Sequence, residues 1–254
     1  MNLLAIETAT EGCSAALLCG SALRERFEVA PRRHAELILP MIDELLAEAG
    51  IAKSQLDAIA VGRGPGAFTG VRLAIAVAQG IALALDRPIV PVSSLAALAL
   101  SAVGEGKGVA PPGATVSSPV CDAPPIPGTH VLAAIDARMG EIYAGAFARD
   151  DDGLLSPLGD EQLCEAGALM LPDAVSWTVA GTGWRAYPDA IGTRLGRAPA
   201  QAYPDALPHA TAVARLGARD FARGLGIDAA RAQPKYLRDK VALTLAEQGK
   251  AAQR

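Results

Sequence analysis

Short apolar runs alternate along this chain with longer stretches of helical period, the pattern of an α/β protein. Residues 3–7 (LLAIE) are an apolar run ending in an acid; after a polar turn residues 13–18 form a second run, and residues 23–29 alternate as a third, half-exposed strand that Pro31 closes. From 34 to 49 the apolar positions Leu37, Ile38, Met41, Leu45 and Leu46 have helical spacing, Gly50 supplies a C-terminal stop, and Pro40 either kinks the helix or marks its start. Strands follow at 57–61 and 89–92, then a helix capped by Ser93 or Ser94 that runs to about residue 103. Beyond a change of character at 104, the pattern predicts strands at 130–136 and 140–147 and a turn at 150–153. A helix at 161–171, a strand at 176–180 leading to a second tight glycine turn, a helix at 210–225 and an extended tail from Ala232 with a fraying polar end complete the expectation.

The stretch from 62 to 85 organises the rest. It opens with glycines and a proline and runs into a helix that is apolar on every face. Val71, Ile75, Ala78, Ala82 and Leu85 make one stripe and Leu73, Val77 and Ile81 a second, with small residues between them that let another helix approach closely. One stripe suffices to cover the chain's own sheet, which leaves the other for a protein partner; the plain alternative is a core helix covered on all sides. A membrane span is disfavoured, because Arg72 and Gln79 interrupt a run already short of the ~20 apolar residues a bilayer requires. The glycines lack the Gly-Lys-Ser/Thr ending of a phosphate loop. Gly62, Gly64 and Ala67 fit the loose dinucleotide fingerprint, yet Pro65 lies in the turn and the acid near the expected spacing, Asp86, ends a helix instead of a strand.

Composition narrows the partners. At 254 residues and 51% hydrophobic, the chain buries a proper core as one large or two small domains. Its net charge of −4, with no basic stripe interleaved with aromatics, gives no general attraction to nucleic acid. Cys13, Cys19, Cys121 and Cys164 show no paired spacing, which points to packing roles in a reducing compartment. Met1 to Ile6 runs straight into a strand with no basic leader, so the expected location is the cytoplasm.

Residues 104–129 are crowded with glycine and proline and short of large apolar residues, and read as a mobile insert or linker between residues 1–103 and 130–254. Leu3-Leu4-Ala5-Ile6-Glu7 and Leu132-Ala133-Ala134-Ile135-Asp136 echo each other: each is an apolar strand ending in an acid, followed by a polar turn with glycine and a second strand. If the echo is a duplication, two similar α/β lobes face each other across a cleft and offer Glu7 and Asp136 there.

Gly64-Pro65-Gly66-Ala67-Phe68-Thr69-Gly70-Val71-Arg72, preceded by Ile6-Glu7-Thr8-Ala9-Thr10, closely resembles the TsaB (YeaZ) family. So do Ala134-Ile135-Asp136-Ala137-Arg138-Met139-Gly140-Glu141, Gly181-Thr182-Gly183-Trp184 and Tyr236-Leu237-Arg238. The match spans most of the chain, and only 104–129 departs clearly. The resemblance implies two actin-like (ASKHA, ribonuclease H-like) lobes, each a mixed sheet flanked by helices, and no catalysis by the chain itself. It implies a scaffold and dimerisation subunit required with the catalytic TsaD and the ATP-dependent TsaE to make threonylcarbamoyladenosine at position 37 of tRNA, with tRNA engaged only within the complex. The dimerisation face of the family corresponds to helices 34–49 and 69–85. Carried over residue by residue, the partner-binding set is Leu37, Met41, Leu45, Thr69, Val71, Arg72, Ile75, Ala78 and Ala82, used for TsaD or for a homodimer. No intrinsic cofactor is implied; ATP or ADP with magnesium at the junction with TsaD is left open.

Chemistry of its own is the competing reading. The catalytic relative binds metal through two histidines one helical turn apart, whereas His34, His130 and His209 are followed four positions later by Ile38, Ala134 and Val213, which disfavours a metallopeptidase. An autonomous actin-like ATPase or kinase would use Glu7 and Asp136 as magnesium ligands with Thr8 and Thr10 in the phosphate turn; otherwise these residues tie down strand ends. Arg72 either pairs with an acid on a partner or snorkels past the rim. Lys235, Arg238 and Lys240 either touch RNA or a nucleotide, or are a solvated face.

Overall fold

The computed structural model describes residues 1–104, 116–119, 130–174 and 176–238. Most of the 104–129 stretch, Cys121, Lys240 and the polar end fall outside the described residues.

The first sheet is built from β1 (Asn2–Glu7), β2 (Gly12–Cys19), β3 (Ala22–Val29), β4 (Ala58–Gly62), β5 (Ile89–Val92) and β6 (Val116–Pro119), in the order β5-β4-β1-β2-β3-β6. The second contains β7 (His130–Arg138), β8 (Glu141–Arg149), β10 (Gln162–Glu165), β11 (Trp177–Ala180) and β12 (Gln201–Tyr203), in the order β10-β8-β7-β11-β12, with β9 (Leu155–Pro157) beside β8. In each sheet the leading strand pairs antiparallel with the next in sequence and parallel with a later one: β1 with β2 and β4, β7 with β8 and β11. The five-residue echo is therefore the start of a repeated topology.

Strand periodicity explains the layers. On β1, Leu4 and Ile6 face outward to α1 (His34–Ala49) and α2 (Phe68–Leu85), while Leu3 and Ala5 face the centre of the molecule. The inner positions are small, as at Ala5, Ala16 and Ala60, and α6 (Ala210–Ala222) lies on them so closely that a Cβ at Gly217 would overlap the Ala60 methyl. α3 (Ser94–Val103) shares this central core and packs against the second sheet, whose outer face is covered by α4 (Thr182–Ala186) and α5 (Pro188–Leu195).

Four expectations are corrected. The helix expected at 161–171 is strand β10 followed by a 3-10 turn at Ala166–Ala168: β8 has an edge to pair, and the Gln162 side chain bonds both the carbonyl and amide of Met170, closing the segment as a loop. Residues 116–119, inside the supposed linker, pair with Ala22 to Glu25 of β3, since backbone pairing needs no apolar side chain. Pro40 is not a start: α1 runs unbroken from His34 to the left-handed Gly50, and Pro40 stands on its exposed side. Nor is 130–254 a lobe by itself, because α6 returns to cover β1, β2, β4 and β5 of the first sheet.

Candidate functional site

The two hairpins that carry Glu7 and Asp136 are the places where an actin-like protein would hold a nucleotide, and their geometry is specific. Glu7 is 1% exposed. Its Oε1 accepts the Ala9 amide at 2.7 Å and its Oε2 the Ser94 hydroxyl at 2.7 Å, and a Cβ on Gly62 would collide with the carboxyl group. Burial pushes this carboxyl up to about 7, against the partial compensation of the Ala9, Ser94 and Thr8 hydrogen bonds. Thr8 is equally buried, donating its hydroxyl to the Gly70 carbonyl at 2.7 Å, and Thr10 accepts the Gly12 amide at 3.3 Å. Gly66 and Gly70 sit so tightly on the carbonyls of Ala9 and Thr8 that any side chain there would overlap them. The start of α2 thus fills the space over the first turn. Asp136 accepts the Arg138 amide at 2.9 Å, its own amide donates to the Thr182 hydroxyl at 3.1 Å, and Arg138 and Met139 both take left-handed backbone. Both carboxylates serve their own turns, as strand-end ties do. Glu7 does not fit a magnesium ligand, since it has both oxygens engaged and no open approach, whereas Asp136 is partly exposed and accepts the Arg138 amide through Oδ1 alone. Among the described residues no three His, Cys, Asp or Glu side chains gather to hold a metal.

The histidines and cysteines also have structural work. His34 Nε2 lies 3.0 Å from the Thr10 carbonyl, and His209 Nδ1 lies 3.0 Å from Glu25 Oε2 with its ring stacked on Phe27. His130 packs edge-on against Trp177. Burial raises the thiols of Cys13, Cys19 and Cys164 above the ordinary range, Cys13 to about 12, so they behave as apolar packing groups.

Of the residues assigned to a partner, Met41, Leu45, Val71, Ile75, Ala78 and Ala82 are buried among the chain's own core side chains, so their side chains do not form an outer face. The assignment chose the stripe that covers the sheet. Leu37 is half-buried, while Thr69 and Arg72 are exposed. The bare line on α2 runs Thr69, Arg72, Ala76, Gly80 and Leu83, with Leu73, Val77 and Ile81 partly open beside it. Phe68 is 50% and Leu83 63% exposed, and Leu39 on α1 is 51% exposed. Phe68–Leu85 is long and apolar enough to cross a membrane, alone in this among the described residues, and here one of its faces lies on the first sheet. Within the chain, Arg72 stacks 3.6 Å from the Phe68 ring centroid and donates its Nε–H to the Tyr236 hydroxyl at 2.7 Å.

Between the lobes lies a cleft of about 260 Å³, lined by Arg63, Ser93, Phe147, Leu216 and Lys235 among others. Glu161 enters it from the second lobe and meets the Ser93 hydroxyl, Arg63 at 3.2 Å and Lys235 at 3.2 Å. Sequence reasoning missed this junction and the Arg72–Tyr236 contact, since partners 98 and 164 residues apart leave no local pattern. Lys235 and Arg238 are paired with acids of the chain, Arg238 with Glu141 at 2.6 Å.

Comparison with known proteins bears on what this arrangement serves. A family model described as TsaD, tRNA N6-adenosine threonylcarbamoyltransferase, matches residues 28–244. The tRNA threonylcarbamoyladenosine biosynthesis protein TsaB of Escherichia coli (strain K12) is 37% identical over 251 residues, spanning 95% of this chain and 96% of its own length. This chain belongs to the TsaB (YeaZ) family. The TsaB of Haemophilus influenzae is 35% identical over 252 residues, with 95% of each chain covered. YeaZ from Pseudomonas aeruginosa, a solved structure, superimposes with a TM-score of 0.79 at 42% identity, covering 93% of this chain and 99% of that one. The two-lobed actin-like fold is thus shared with that structure.

Proposed function

We propose that this chain acts in the cytoplasm in the biosynthesis of threonylcarbamoyladenosine in tRNA, as a non-catalytic subunit that docks on TsaD with TsaE as a third component. The observation that carries the reading is the apolar part of the bare line on α2, Ala76, Gly80 and Leu83, on a helix whose opposite face is already committed to the core. The self-contained use of Glu7 and Asp136 supports a scaffold over an enzyme. On this reading a homodimer uses the same face when TsaD is absent, tRNA is engaged only in the complex, and any ATP or ADP with magnesium belongs to the junction with TsaD and not to the lobes of this chain.

The test uses residues that the fold does not need. Ala76→Arg and Leu83→Asp place a charge where an apolar contact would form, at a cost on the order of 2–3 kcal/mol for each desolvated group. Both variants keep the melting temperature of the parent and lose co-elution with purified TsaD and the tRNA modification that depends on it. Retained complex and retained modification in both would overturn the reading. ATP turnover by the chain alone, abolished by Asp136→Asn with the fold intact, would replace it with an autonomous ATPase.

A further inference from the structure

Ala232 is the last buried residue of the described C-terminal segment, and residues 233–238 after it have no regular secondary structure. They nevertheless follow a defined course across the lobe junction. Upstream, Gln79 of α2 donates to the carbonyls of Ala229 and Ala232. The Lys235 amide then donates to the Arg63 carbonyl at 2.9 Å, and Lys235 Nζ reaches Glu161 of the second lobe. Tyr236 accepts the Arg72 hydrogen bond and lies with its ring 6.0 Å from that of Phe68, and Arg238 pairs with Glu141 and donates to the Ala137 carbonyl at 3.0 Å.

Two features of this segment matter together. Its described holds beyond Ala232 are mainly polar: Lys235 and Tyr236 are exposed, so the Lys235 ammonium is open to screening by salt, while Arg238 and Glu141 are half-buried. Tyr236 also sits over Arg72, which belongs to the same line as Ala76, Gly80 and Leu83. We infer that residues 233–238 are a releasable strap that lies against Arg72 and Phe68 at the N-terminal end of the α2 docking face while leaving the rest of that face open, so that a partner that engages Arg72 must displace Tyr236. The inference rests on the docking reading above. The strap sets how much of the face is on offer in the free chain, and its release couples docking to the Glu161 junction between the lobes.

The test cuts the ties on the strap and leaves the lobes intact. In a Lys235→Gln/Arg238→Gln variant of the full chain, hydrogen exchange at the residue 235 amide becomes at least ten-fold faster while amides 74–82 in α2 are unchanged. Affinity for purified TsaD rises at least three-fold in the same variant. Slow exchange at residue 235 despite the lost ties would overturn the strap, as would faster exchange with unchanged or weaker TsaD binding, which would make Tyr236 part of the contact instead of its cover. Failure of the docking reading is seen separately, as retained TsaD binding by Leu83→Asp, and does not touch the exchange result.

Discussion

Replacing Glu7 by glutamine separates a structural carboxyl from a catalytic one. The side chain is enclosed, with Oε1 on the Ala9 amide and Oε2 on the Ser94 hydroxyl, and glutamine satisfies both: its oxygen accepts from Ala9, and its amide donates to a Ser94 hydroxyl that has turned round. Burial holds the Glu7 proton up to about pH 7, against an ordinary value of 4.5. Between those values the native state binds more protons than the unfolded chain, so stability falls as pH rises through that window. At about 1.36 kcal/mol per unit, the loss integrates to about 3 kcal/mol. Glu7→Gln carries no such proton. Urea unfolding at pH 5 and pH 8.5 should therefore show a shallower decline for the variant, and at pH 8.5 it should be the more stable protein by about 2–3 kcal/mol, after allowing for the stronger bonds a carboxylate accepts. On the proposed scaffold role it should also retain tRNA modification when mixed with TsaD. A variant less stable than the parent at pH 8.5, with the pH slope unchanged, would refute the argument from burial.

Two further substitutions probe the packing that fixes the candidate site. Gly70→Ala drives a methyl group into the Thr8 carbonyl and strains the Thr8 hydroxyl bond to residue 70; calorimetry should show a loss of about 3 kcal/mol, on the order of 6–12 °C in Tm. Glu25→Ala removes the acceptor of the Thr211 amide at the start of α6 and the partner of His209, and chemical denaturation should show a loss of about 1–3 kcal/mol, whereas Glu36→Ala on the exposed side of α1 should change stability by less than about 0.5 kcal/mol.

Where a local rule decides, the sequence was legible. β5 and α3 lie where the pattern put them, Ser93 caps α3 by accepting the Ala96 amide, and Gly50 ends α1 in the left-handed region. The echo of residues 3–7 at 132–136 exposed the repeated sheets, because a strand buried on both faces has little choice but an apolar run. Residues 161–171 misled because their helical spacing is genuine and was outweighed by the open edge of β8. The two stripes of α2 were visible, but periodicity does not say which one meets the sheet. The smaller side chains Ala74, Ala78 and Ala82 go inward, where the helix lies close, and Leu83 is left outside. Tyr236 on Arg72, Glu161 on Arg63 and Glu25 on α6 come from chain ends that only the fold brings together.

The return of α6 to the first sheet dictates when that sheet can be finished. Ribosomal synthesis delivers β1 to β5 within the first hundred residues, yet Leu3, Ala5, Ala16 and Ala60 keep one side wet until the polypeptide has grown past Ala222. The first sheet is consequently a late-maturing unit, dependent on the chain as far as α6. A chain halted after β12 presents an oily, half-dressed sheet, the kind of surface that chaperones hold and aggregates recruit.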